Sequence, residues 1–280
     1  MELLQPVVER QVSGRVSGRI LLGTVEGNIH DLGRVAAETC TAQGATRAAS
    51  MGGFLVAIIC HLWYNTCMEF KRLLEIAGDE PVFETSLLLA GDVDPANTRR
   101  QLSRWTKARR LYQLRRGIYA LAPPFQKVKP HPFLVANRMV RASYVSLQAA
   151  LAHYGLIPEY VPVVTSVTTA RPGRWETPLG VYEFRHLKTG LLFGYRLTDL
   201  DGGQEAFVAT PEKALLDLVY LQAGGDSPDY LRELRLQNLD RLDAEELWRQ
   251  ADRTGSPKLR RAAEFVVGLR CTETQEYETL

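Results

Sequence analysis

The sequence predicts an α+β fold, and three observations lead there. Three short helical stripes and a glycine-turned hairpin follow one another between Met68 and Leu121. Segments of strand character, 161–169, 181–187, 191–197 and 205–209, lie between a helix ending at Gly155 and one beginning at Thr210. Beyond these the chain reads as a helical tail, with starts near Asp229, Asp243 and Ser256-Pro257. Apolar residues at i, i+3, i+4 and i+7 mark a helix packed on one face, whereas strict alternation marks a half-buried strand.

In "EFKRLLEIAG", Phe70, Leu73, Leu74 and Ala77 form the first stripe, closed by Gly78. After Pro81, "FETSLLLAG" predicts a second short helix, stopped by Gly91. Asp94 is a good N-cap and Pro95 a good first helical residue, so a third helix is expected from Pro95 to about Ala108. Its apolar side carries Thr98, Leu102 and Trp105, the last expected as a core anchor. Its opposite side carries Asn97, Arg100, Gln101 and Arg104. "LYQLRRGIYAL" then gives strands at 111–115 and 118–121, turning at Arg115-Arg116-Gly117.

Three helices followed by a small hairpin is the order of a winged helix-turn-helix. That unit lays its last helix in the DNA major groove and touches flanking backbone with the hairpin. The charge distribution agrees. The chain carries 34 basic and 32 acidic residues overall, yet Thr98 to Arg116 holds eight Arg or Lys and no acid. Arg, and Asn or Gln, make paired hydrogen bonds to guanine and adenine edges, so Asn97, Arg100, Gln101 and Arg104 are the expected base readers. Arg99, Lys107, Arg109, Arg110, Arg115 and Arg116 are the expected phosphate contacts, which fix position without reading sequence. A solvated basic face, or a protein-docking module, is the plainer alternative for such a helix.

"KVKPHPF", 127–133, reads as a linker, so the winged unit should span 68–126 and a second, mixed α/β domain 134–280. In "SYVSLQAALAHYGLIPE" Ser146 is the expected N-cap, with Leu147, Ala150, Leu151 and Tyr154 on one face. Tyr182, Phe184 and His186 alternate with Glu183, Arg185 and Leu187, as in a half-buried strand. "TPEKALLDLVYLQ" starts a helix with Thr210 as cap, Pro211 first and Glu212 in the first turn; Leu215, Leu218, Val219 and Gln222 form its inner face. From Pro211 onward fourteen acids face ten bases, so the basic character stays in the first half.

At 280 residues, 45% hydrophobic and 24% charged, the chain suits two modest folded domains rather than disorder. Cys40, Cys60, Cys67 and Cys271 give neither a disulfide framework nor a zinc spacing, which fits a reducing cytoplasm. The chain holds no G-x-S-x-G, no G-x4-G-K-[ST] and no H-E-x-x-H, and its five histidines are scattered. No catalytic residue, metal or cofactor is therefore expected. Asp199 and Asp201 in "TDLDGGQ" are chemically suited to a divalent cation, but Asp-Gly-Gly is also a turn sequence and the turn is expected.

"RLYQLRRGIYAL", "YVSLQAALAHYGLIPE" and "ATPEKALLDLVYL", in this order, resemble the AbiEi antitoxin and transcriptional-regulator family of abortive-infection toxin–antitoxin systems. The likeness covers about Met68 to Tyr220. It implies a winged helix that binds repeats ahead of its own operon and represses it. It also implies a C-terminal domain that counters a nucleotidyltransferase-like toxin encoded next door. Two other readings fit the residues: a winged-helix regulator without a toxin, whose second domain senses a ligand or dimerises, and a metal-dependent nuclease built on Asp199 and Glu212.

Residues 1–67 contain five Arg, no Lys and eight Gly, with no helical or strand period. Their apolar run "MGGFLVAIICHLWY", 51–64, is too short to span a bilayer, so no membrane partner is expected. Regular patterning begins abruptly at Met68, which is the expected biological start. The intact mass of protein made from the native gene should match a chain beginning there, and a full-length mass would refute it.

Overall fold

The computed structural model describes residues 68–90 and 93–278, so the expectations for 1–67 and the helix stop at Gly91 lie outside the described residues. The mixed α+β character is present, with two separate sheets. The first half runs α1 (Phe70–Ala77), β1 (Phe83–Glu84), α2 (Thr85–Leu88), α3 (Pro95–Lys107), β2 (Leu111–Arg115) and β3 (Ile118–Leu121). Its sheet has the order β1-β3-β2, antiparallel throughout.

"FETSLLLAG" departs from its expected helix by opening as a strand. Phe83 pairs with Tyr119 and Glu84 with Ile118, leaving four residues for α2. Phe83 is buried and its ring stacks on that of Tyr119 at 6.0 Å, a cross-strand contact that outweighs local helix preference. Leu73, Leu88, Leu102, Trp105, Leu111 and Leu121 fill the core beneath. Trp105 is 7% exposed and meets the edge of Phe70 at 5.3 Å, so it anchors α3 to α1.

Both ends of α3 are locally determined. The Asp94 carboxylate accepts from the backbone N–H groups of Ala96 (2.9 Å) and Asn97 (3.2 Å). At the far end Arg110 N–H reaches the Trp105 carbonyl (2.9 Å) and Arg109 N–H that of Thr106 (3.0 Å). This closure puts its central residue in the left-handed region, and Arg109 adopts it at φ 56° without being glycine.

The second half runs α4 (Pro132–Met139), β4 (Ser143–Val145), α5 (Leu147–His153), β5 (Val163–Thr168), β6 (Gly173–Thr177), β7 (Gly180–His186), β8 (Tyr195–Leu200) and β9 (Gln204–Ala209). Helices α6 (Pro211–Leu221), α7 (Pro228–Glu233), α8 (Ala244–Thr254) and α9 (Pro257–Glu278) follow. The sheet order is β6-β7-β5-β4-β9-β8, with β4–β9 and β5–β7 parallel and the other pairs antiparallel. Among the described residues no helix is long and apolar enough to cross a membrane.

Several elements differ from expectation. Helix α4 opens inside the expected linker, at Pro132 in the first helical position. The rest of that stretch is tied to β9: Gln204 accepts from His131 N–H (2.8 Å) and donates to the Lys129 carbonyl (2.9 Å). Strands β4 and β6 have no counterpart among the expected elements. The strand expected at 191–197 begins only at Tyr195, after Gly194 at φ 68°. A side chain at Gly194 would come within about 3 Å of Gln250 and Lys213, so close packing requires glycine there. On β7, Tyr182 and Phe184 are buried as expected, but the strand ends at His186, which is exposed, and Leu187 turns inward.

Helix α6 is buried from Glu212 through Val219, including three charged residues. The Thr210 hydroxyl caps it by accepting from Lys213 N–H (3.3 Å). Glu212 accepts from the Asp243 backbone N–H (2.9 Å), tying α6 to the start of α8. The Lys213 ammonium pairs with the Asp217 carboxylate, whose other oxygen accepts from the hydroxyls of Tyr144 (2.9 Å) and Ser146 (2.8 Å). Burial pushes the Asp217 carboxyl above its ordinary value and the Lys213 ammonium below its own, and their mutual attraction opposes both shifts.

Removing one partner strands the other. Lys213→Ala should destabilise the protein by about 3–5 kcal/mol in urea unfolding, while Lys213→Met combined with Asp217→Leu should cost much less. Equal losses would show that packing rather than charge pairing dominates at this position.

Candidate nucleic-acid interface

The buried stripe of α3 is Thr98, Gln101, Leu102 and Trp105, spaced i, i+3, i+4 and i+7. Opposite it, Arg99, Arg100, Ser103, Arg104 and Lys107 are exposed, and Asn97 is half-buried at the border. This corrects the expected reading face. Gln101 fits both stripes by spacing alone, but it lies between Thr98 and Trp105 on the core side and is 8% exposed. Arg99 and Lys107 instead share the open arc with Arg100 and Arg104. None of these four is held in an ion pair among the described residues, and Asp94 is the acid nearest to α3 in sequence on that side.

Beyond the helix the basic residues have different fates. Arg109 and Arg110 are exposed, and the Arg110 guanidinium lies over the Phe70 ring at 5.1 Å. The hairpin is tight, with Arg116-Gly117 as its two turn residues and Gly117 at φ 84°. Thr85 fixes that turn by donating its N–H (2.8 Å) and its hydroxyl (3.2 Å) to the Gly117 carbonyl. Arg115 is also exposed, but it lies back along the molecule. Its Nη1 donates to the Met139 carbonyl at 2.7 Å, and its guanidinium covers the Trp175 ring at 5.0 Å. Arg116 stays exposed at the tip.

That clamp brings together residues far apart in sequence. Arg138, at the end of α4, and Arg141, in the loop after it, line one cleft with Arg115 and Arg116. Neither stands out in the sequence: they lie outside the basic run, and the spacing of "NRMVRAS" carries no signal that it folds back onto a hairpin.

The acidic candidates lie in a strand, in a turn and at a helix start. Asp199 lies within β8 opposite Glu205, and Asp201-Gly202-Gly203 forms the turn to β9, both glycines in the left-handed region. Glu212 is committed to the Asp243 N–H. Among the described residues no group of three His, Cys, Asp or Glu is placed to hold a metal ion. No protein-family model matches the chain, and a search of curated proteins gives no match.

Arg115 is thus expected to behave as a clamp rather than as a phosphate contact. Arg115→Ala should lower unfolding stability by about 1–3 kcal/mol while leaving the salt dependence of duplex binding unchanged. A flatter salt dependence with undiminished stability would restore Arg115 to the phosphate-contacting set.

Proposed function

We propose that residues 68–126 act as a winged helix-turn-helix and that the chain is a cytoplasmic DNA-binding autorepressor, the antitoxin of a toxin–antitoxin pair. The observation that carries this reading is the open arc of α3, where Arg99, Arg100, Arg104 and Lys107 face outward with no carboxylate among them. The order helix, strand, helix, helix, hairpin, with β1 beside β3, supports it further. The resemblance of the wing, the Ser146 helix and the Thr210 helix to the AbiEi family supplies the second half of the proposal. The partner in that half is a nucleotidyltransferase-like toxin encoded beside this chain.

In this reading α3 enters the major groove. Arg100 and Arg104 read bases, and Arg99, Lys107, Arg109 and Arg116 hold phosphates. Burial of Gln101 leaves Asn97 as the one amide near the reading arc, so recognition leans on arginine and therefore on guanine. The reading assigns no catalytic residue, and the toxin carries the chemistry of the pair.

Fluorescence anisotropy tests the DNA part, with a duplex from just upstream of the chain's own gene and a scrambled duplex, over a salt series. The upstream duplex should bind more tightly, with affinity falling steeply as salt rises. Arg100→Ala or Arg104→Ala should each cost about 1–3 kcal/mol on that duplex and narrow the gap to the scrambled one. Equal affinity for both duplexes in the unaltered protein would sink the operator-reading proposal.

A further inference from the structure

The cleft between the hairpin turn and the α4–β4 corner gathers Arg115, Arg116, Arg138 and Arg141 against a single carboxylate, Glu84. It is a groove of about 610 Å³. Two of the four guanidinium groups already have partners. Arg141 pairs with Glu84 at 2.8 Å, and Arg115 is held by the Met139 carbonyl and the Trp175 ring. Arg116 and Arg138 are exposed, and no carboxylate among the described residues pairs with either.

We propose that this cleft is a binding site for a phosphate group, gripped by Arg116 and Arg138 with Arg141 at its rim. Like charges collected in one concavity repel each other, and a phosphate oxyanion relieves that repulsion while accepting forked N–H pairs. The walls are prepared for it. Thr85 pins the turn that carries Arg116, the Arg115 clamp fixes that turn against Met139, and Arg138 is the residue just before Met139. The backbone positions that carry the two open arginines are therefore held by these contacts. The recognised chemistry is a phosphate oxyanion, whether it arrives free or as a phosphodiester of duplex DNA.

The test compares the unaltered protein, the double variant Arg116→Ala/Arg138→Ala, the single variant Arg138→Gln and a control at a distant exposed cation, Lys188→Ala. Thermal unfolding in inorganic phosphate is set against sodium chloride of equal ionic strength. A second arm measures binding of a fixed duplex over a salt series. A free-phosphate site shows as a midpoint that phosphate raises in the unaltered protein and in Lys188→Ala. That rise should be lost in the double variant and reduced in Arg138→Gln. A backbone-phosphate site shows as a double variant whose log–log salt slope is shallower by about 0.9, the contribution of the single phosphate that both arginines hold. Variants that match the unaltered protein in both arms overturn the proposal. If the unaltered protein binds no duplex, the DNA-binding reading fails by itself, and the phosphate arm alone decides the cleft.

Discussion

A helix buried along most of its length is the constraint on which the larger half of the molecule is organised. Every polar group on α6 that leaves water must find a partner inside, because a buried charge without one costs several kcal/mol. The three charged residues of α6 meet that demand from three directions. Glu212 receives the first turn of α8, Lys213 faces Asp217 one turn along, and Asp217 collects the hydroxyls of Tyr144 and Ser146 beside the central strand β4. One helix therefore fixes the sheet and the following helices in a single arrangement, which apolar packing alone would specify less sharply.

That fixed body is also the seat of the basic half. The larger core continues into the first sheet through Val82, Leu114 and Ala120, and the Arg115 clamp adds a polar contact at the same boundary. The hairpin that follows α3 is consequently braced from behind. The same bracing creates the arginine cleft, so one contact both draws Arg115 back from the outer face and sets Arg116 beside Arg138.

Where the sequence was legible, a local rule was sufficient. Asp94-Pro95 and Thr210-Pro211 announced their helices because capping needs only neighbouring residues, and both helices start where the caps place them. Elements set by distant partners were not legible. Phe83 became a strand because Tyr119 lies opposite it, and β4 is three residues whose pairing comes from β5 and β9. Tyr195 starts β8 late because Gly194 must pass close to Gln250 and Lys213. At the candidate interface the basic run was visible, but spacing could not tell which of two overlapping stripes would claim Gln101. The turn of Arg115 toward Trp175, 60 residues further on, left no trace in composition.

The parallel pairing of β4 with β9 bears on how the chain is made. Val145 meets Val208 only after the whole intervening segment of strands has been synthesised. Until then β4 has β5 on one side and an open edge on the other, with the Tyr144 and Ser146 hydroxyls waiting for a carboxylate that has not yet left the ribosome. Pairings over such separations form slowly and leave unpaired edges exposed in the meantime. A chain that lacks residues 204–209 thus leaves this edge of β4 without its partner strand. Pairing with β9 closes that edge, and α6 then brings Asp217 to the two waiting hydroxyls.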